Sequence, residues 1–142
     1  MKALTRKTVL LMLAMLFVLS GLALDRLQAA ENMDTTVKIA EMEGVGKYLT
    51  DQKGITLYYF TKDSPNKSAC SGFCLERWPI FYVESLSVPK GLDASDFGVI
   101  TRDDGNKQTT YKGRPLYYFL ADNNPGDIKG QGVYDSWYVV AP

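Results

Sequence analysis

GITLYYFTKD, residues 54–63, returns as GRPLYYFLAD, residues 113–122, with Gly, Leu, Tyr, Tyr, Phe and Asp in the same places at a fixed offset of 59. The register extends outward on both sides. Gly46, Thr50 and Lys53 fall on Gly105, Thr109 and Lys112, and Trp78 falls on Trp137, so both tryptophans of the chain obey it. A period of this length marks a duplicated supersecondary unit. Within the repeated stretch, alternation places Tyr58 and Phe60 on one face of a strand and Leu57 and Tyr59 on the other. Both faces are large and apolar, as expected of a strand covered on both sides.

Outward from this strand, β-prone runs alternate with turn signals. In the first copy, strands are predicted at residues 37–39, 47–50, 55–61 and 78–83, with turns at 41–46 and 51–54 and a loop carrying the cysteines. Residues 84–96 join the copies, with a helical turn expected at 93–97. In the second copy, strands are predicted at 98–102, 107–111, 116–120 and 136–140, and the glycine-rich PGDIKGQG, residues 125–132, precedes the last. The expected fold is all-β: two four-stranded antiparallel meander repeats, 37–83 and 97–142, related by pseudo-two-fold symmetry. Sequential strands usually neighbour one another, and a sandwich-like or a barrel-like closure satisfies the pattern.

Residues 1–30 have the form of a signal peptide: Lys2, Arg6 and Lys7, then an apolar run over 9–24, then Ala29 and Ala30. Cleavage is expected near Ala30, and an uncut leader would remain as a membrane anchor. Leu19, Ser20 and Gly21 begin a lipoprotein box, but Leu22 stands where the lipidated cysteine would be. Residues 31–142 are enough for a single β domain. They hold 12 Lys and Arg against 15 Asp and Glu, a net charge of −3. That balance excludes nucleic acid as a partner and argues against polybasic attachment to lipid. The membrane contact expected is through the leader alone, if it is retained. An extracytoplasmic site, periplasmic or secreted, follows.

There is no histidine in the sequence, which removes the commonest general base and neutral metal ligand. No phosphate loop, dinucleotide fingerprint or nucleophile elbow is present. Cys70 and Cys74 are the only cysteines, and in an oxidising compartment they are expected as a disulfide. The competing use of this pair is redox or soft-metal chemistry, although Met33 and Met42 are distant in sequence. Asp63 and Asp122 end the repeated strand, where a carboxylate accepts hydrogen bonds from the next turn. A calcium role with Asp103, Asp104 or Asp127 lacks the spacing of a calcium loop. Trp78 and Trp137 are expected in the core. The role of Tyr48, Tyr111 and Tyr134, near turns, is open.

The chain resembles a secreted repeat family of bacterial and archaeal lipoproteins named for a Yx(FWY)xxD motif. That motif stands twice, as Tyr58, Phe60, Asp63 and as Tyr117, Phe119, Asp122. The resemblance continues through Cys70-Ser71-Gly72-Phe73-Cys74 and Trp78-Pro79 in the first copy, and through Gly113-Arg114-Pro115-Leu116-Tyr117, Pro125-Gly126-Asp127 and Trp137-Tyr138 in the second. It implies an extracytoplasmic location and supplies no reaction. The function expected is a non-enzymatic binding or structural module of the cell envelope, with no cofactor and an envelope protein or ligand as partner. The alternative is a redox or electron-transfer accessory using Cys70 and Cys74. Hydrolysis by a carboxylate pair is a third option.

Overall fold

The computed structural model describes residues 35–142, so the leader and its cleavage site lie outside the described residues. The chain runs β1 (Val37–Met42), β2 (Gly46–Asp51), β3 (Tyr58–Phe60), α1 (Phe73–Arg77), a 3-10 turn (Ala94–Asp96), β4 (Phe97–Thr101), β5 (Lys107–Tyr111), β6 (Arg114–Pro115), a second 3-10 turn (Val133–Asp135) and β7 (Trp137–Val139). All pairing is antiparallel, in three small sheets: β1 with β2, β3 with β7, and β4, β5 and β6 in order. None of the three is a closed barrel, and no helix among the described residues is long and apolar enough to cross a membrane.

The expectation of two self-contained four-stranded meanders is corrected at the last strand of each repeat, which pairs with the other repeat. β7, from the second copy, pairs with β3 of the first, Tyr58 opposite Val139 and Phe60 opposite Trp137. Residues 77–81 of the first copy make the equivalent bonds to the second: Tyr118 N–H to Pro79 C=O at 2.7 Å, Leu120 N–H to Arg77 C=O at 2.9 Å, and Phe81 N–H to Leu116 C=O at 2.9 Å. A tight turn forces neighbouring strands together, but the long cysteine and glycine-rich loops impose no such adjacency. They carry the chain across instead.

The exchange closes two rings of three backbone bonds. Leu57 donates to Leu49 at 2.9 Å, Leu49 to Val140 at 2.8 Å, and Val140 back to Leu57 at 3.1 Å. In the second copy Leu116 donates to Thr109 at 3.0 Å, Thr109 to Phe81 at 2.9 Å, and Phe81 to Leu116 at 2.9 Å. Every donor and acceptor in each ring is used, which lets three strands meet at a buried point without an unpaired amide. The rings also show where the 59-residue register breaks. Thr50 bridges to Thr56, whereas Thr110 pairs with Pro115, so the second turn is one residue shorter. Through the leading hairpins the equivalence is therefore 60: Leu49 matches Thr109, and Thr50 matches Thr110.

On the pseudo-two-fold axis, Tyr58 and Tyr117 exchange both backbone bonds, at 2.9 and 3.0 Å. The alternation of the central strand divides the interior into two clusters. Leu57, Leu116, Val37, Leu49, Phe81 and Val140 form one; Tyr58, Tyr117, Trp78, Trp137, Cys70 and Val139 form the other. In the second cluster Gly130 is packed against the rings. A Cβ there would fall 2.8 Å from Cε1 and Cζ of Tyr58 and 2.9 Å from Cη2 of Trp78. Backbone lies against ring at that point, leaving no volume for a methyl group. Gly130→Ala is expected to destabilise the protein by about 1–3 kcal/mol, read as a lower urea midpoint at unchanged m-value.

Candidate functional site

The repeated motif is a cross-repeat lock. Tyr58 Oη donates to Asp122 Oδ2 at 2.5 Å, and Tyr117 Oη donates to Asp63 Oδ2 at 2.8 Å. The second oxygen of each carboxylate holds the turn that follows it. Asp63 Oδ1 accepts from Ala69 N–H at 2.6 Å, and Asp122 Oδ1 accepts from Lys129 N–H at 2.9 Å. The turn-holding bond belongs to the chemistry expected of Asp at a strand end. The tyrosine bond does not, because it spans 64 residues in one case and 54 in the other. Burial raises both Asp63 and Asp122 above the ordinary carboxylate range, against the lowering effect of their hydrogen bonds. It also pushes the Tyr117 hydroxyl up to about 12 and Tyr58 higher still, reinforced by the facing carboxylates.

Behind the lock lie four stacked rings. Phe60 lies on Trp137 at 4.3 Å, Trp137 on Trp78 at 3.7 Å with planes 3° apart, and Trp78 on Phe119 at 4.4 Å. Tyr58 meets Trp78 edge-on at 5.4 Å and Tyr117 meets Trp137 edge-on at 5.1 Å. Each motif phenylalanine thus stacks on the tryptophan of the other repeat. All the motif residues and both tryptophans come together in this one assembly.

The two loops that the duplication does not share cover it. Cys70 and Cys74 form a disulfide, with Cys70 1% exposed and packed in the same cluster as Trp78. Packing covers Cys70, while Cys74 is half-buried. Between the cysteines begins α1, a helix not foreseen in the cysteine loop. It leaves Phe73 86% exposed and places Arg77 one turn further along the same face. In the other loop the 3-10 turn, also unforeseen, holds Tyr134 at φ 53° and leaves it 75% exposed. Arg77 Nη1 donates to Tyr134 Oη at 3.3 Å, and the exposed Leu120 is bonded through its N–H to the Arg77 carbonyl. The two unshared loops thus meet, presenting Phe73, Arg77 and Tyr134 beside Leu120 of the repeated stretch.

Arg102 gave no signal in the sequence, standing as the last residue of a predicted strand. It is buried beside the cysteine loop, donating to Cys70 C=O at 2.5 Å, to Gln108 Oε1 at 2.6 Å and to Asp104 Oδ2 at 3.3 Å. Above it opens a cleft of about 680 Å³ lined by Ser68, Ser71, Asp103 and Asp104 among others. Two of the acids weighed for calcium serve turns: Asp104 accepts from Asn106 N–H, and Asp127 accepts from Asn123 and Asn124 N–H and from Lys129. Tyr48 and Tyr111 are buried, one in each interior cluster.

Residues 42–81 and 98–141 match the family described as a secreted repeat of unknown function, and the chain belongs to that family. No curated protein and no solved structure matches it.

Two outcomes follow from the lock and the staple. Tyr58, Tyr117 and Tyr118 all titrate above their ordinary value of 10.0, chiefly through burial. Below that value both folded and unfolded states keep their protons and the stability is fully present. Above it only the unfolded chain releases them, so stability falls as pH rises toward the folded values. The melting temperature is expected to drop above pH about 10, less steeply in Tyr58→Phe/Tyr117→Phe. Replacing both cysteines by serine should cost about 2 kcal/mol from loop closure, measured by denaturant titration with and without reductant.

Proposed function

We propose that the protein is an exported, non-enzymatic module of the cell envelope, periplasmic or secreted, that binds an envelope protein or ligand through the face formed by its two unshared loops. One observation carries this. Phe73 and Tyr134 are the most exposed of the large hydrophobic side chains, at 86% and 75%, and both sit on backbone that is held in place, Phe73 inside a disulfide loop and Tyr134 in a left-handed turn. Exposed aromatics on rigid backbone bind at low entropic cost. Arg77, bonded to the Tyr134 hydroxyl, adds a side chain enriched with Tyr and Trp at the energetic centres of interfaces. The family's description as secreted supports the location.

The hydrogen bonding of the motif carboxylates supports this reading over hydrolysis. Asp63 and Asp122 are each committed to a tyrosine and a backbone N–H, leaving neither free as a paired acid and base. The Cys70–Cys74 redox alternative is disfavoured by the burial of Cys70 against the ring stack.

Immobilised protein should retain one or more components from a native envelope extract. Phe73→Ser/Tyr134→Ser should release them while its melting curve stays within a few degrees of the parent, because neither side chain is buried. Equal retention by this variant would move the binding surface elsewhere.

A further inference from the structure

The ring stack and the lock have a property that neither packing nor binding uses. We propose that they form a proton-coupled relay for a single electron hole, with the stacked pair Trp78–Trp137 as the shared site and Tyr58 and Tyr117 as the terminal donors. This is independent of the binding face described above.

The tryptophan rings are parallel and 3.7 Å apart, close enough for a hole created on one to be shared with the other. Each is in edge contact with a buried tyrosine, Trp137 with Tyr117 and Trp78 with Tyr58. A tyrosine yields an electron readily only when its phenolic proton can leave in the same event, which requires a base within about 2.6–3.2 Å. Both tyrosines meet that condition or fall just short of it: Asp63 accepts from Tyr117 at 2.8 Å, and Asp122 from Tyr58 at 2.5 Å. Burial raises both carboxylates above their ordinary range, which favours their holding the transferred proton. A cleft of about 360 Å³ gives access from solvent, and its walls include Phe60, the end of the stack, and Asp63, the base, with Lys112 and Arg114 beside them.

The step balances as follows. A high-potential one-electron oxidant, such as an oxidised metal complex at the cleft, takes one electron from the tryptophan pair and is reduced by one. An electron from Tyr117 refills the pair. The Tyr117 O–H bond breaks, its proton forms an O–H bond on Asp63, and the products are a neutral tyrosyl radical and a neutral carboxylic acid. Tyr58 and Asp122 do the same from the Trp78 side. A one-electron donor at the cleft, such as a reduced metal complex, gives up one electron to the tyrosyl radical and is itself oxidised by one, and the proton goes back from the carboxylic acid to the phenol.

Flash-quench oxidation of the full chain with a photogenerated tris(bipyridine)ruthenium(III) oxidant tests this, with radicals followed by transient absorption and electron paramagnetic resonance. In the parent a tryptophan radical should give way to a tyrosyl radical, more slowly in deuterium oxide. The surface variant Tyr82→Phe, at a tyrosine 38% exposed, should retain the tyrosyl signal. Tyr58→Phe/Tyr117→Phe should lose it, and Asp63→Asn/Asp122→Asn should leave the hole on tryptophan. A tyrosyl signal lost in the surface variant, or unchanged in Tyr58→Phe/Tyr117→Phe, overturns the relay. So does the absence of any solvent isotope effect in the parent, a result that does not depend on whether the buried variants fold.

Discussion

The structure depends on one backbone contact, the reciprocal pair between Tyr58 and Tyr117. It sits where the two copies of the repeated strand cross, and it fixes everything the copies then exchange. With those residues opposed, the phenol of each points toward the aspartate that closes the other's strand, and the phenylalanine of each lies over the other's tryptophan. The spacing in the motif is thereby explained. Tyrosine and phenylalanine two apart share one face of the strand, and the aspartate three further on lies past its end, where the chain turns and a carboxylate can reach both the turn and the neighbouring repeat.

This arrangement makes the repeats mutually dependent. Neither three-bond ring can close from one copy, because the first needs Val140 and the second needs Phe81. The buried tyrosines and aspartates are polar groups placed in an apolar interior, where an unpartnered member would be costly. Their pairing across the axis therefore favours one alignment of the repeats over any slipped one. The wholly apolar contacts of Leu57 and Leu116 are less discriminating. Only the combination gives both burial and register.

Much of this was legible in the sequence. The duplication, the alternation of Leu57 and Tyr59 against Tyr58 and Phe60, and the leading hairpins all follow from period and turn chemistry. The exchange of last strands was not legible, because the cysteine loop and the glycine-rich loop are long enough to lead anywhere and local chemistry does not say where. The change of register from 59 to 60 was hidden by a coincidence of threonines: Thr109 and Thr110 are adjacent, so Thr50 finds an identical residue under either offset. α1 is too short to show a periodic face, and the Tyr134 turn uses a left-handed aromatic that propensity would not suggest. Arg102 was missed because it closes a predicted strand, and burial of an arginine there leaves no trace in composition. Neither the meeting of the two unshared loops nor the residues they expose left a signal in the sequence.

The exchanged last strand also sets the order in which the molecule can come into being. A chain is delivered from its amino end, and β1, β2 and β3 are complete long before residue 137 emerges. During that interval Leu49 and Leu57 lack the partner that finishes their ring, and Phe60 has no indole to cover it. The first half must wait, open, for the final few residues. A ribosome stalled or a protease cutting before residue 137 would therefore spoil residues 37–60 as much as the segment removed, and handling by a holding chaperone would matter most just before residues 137–140 emerge.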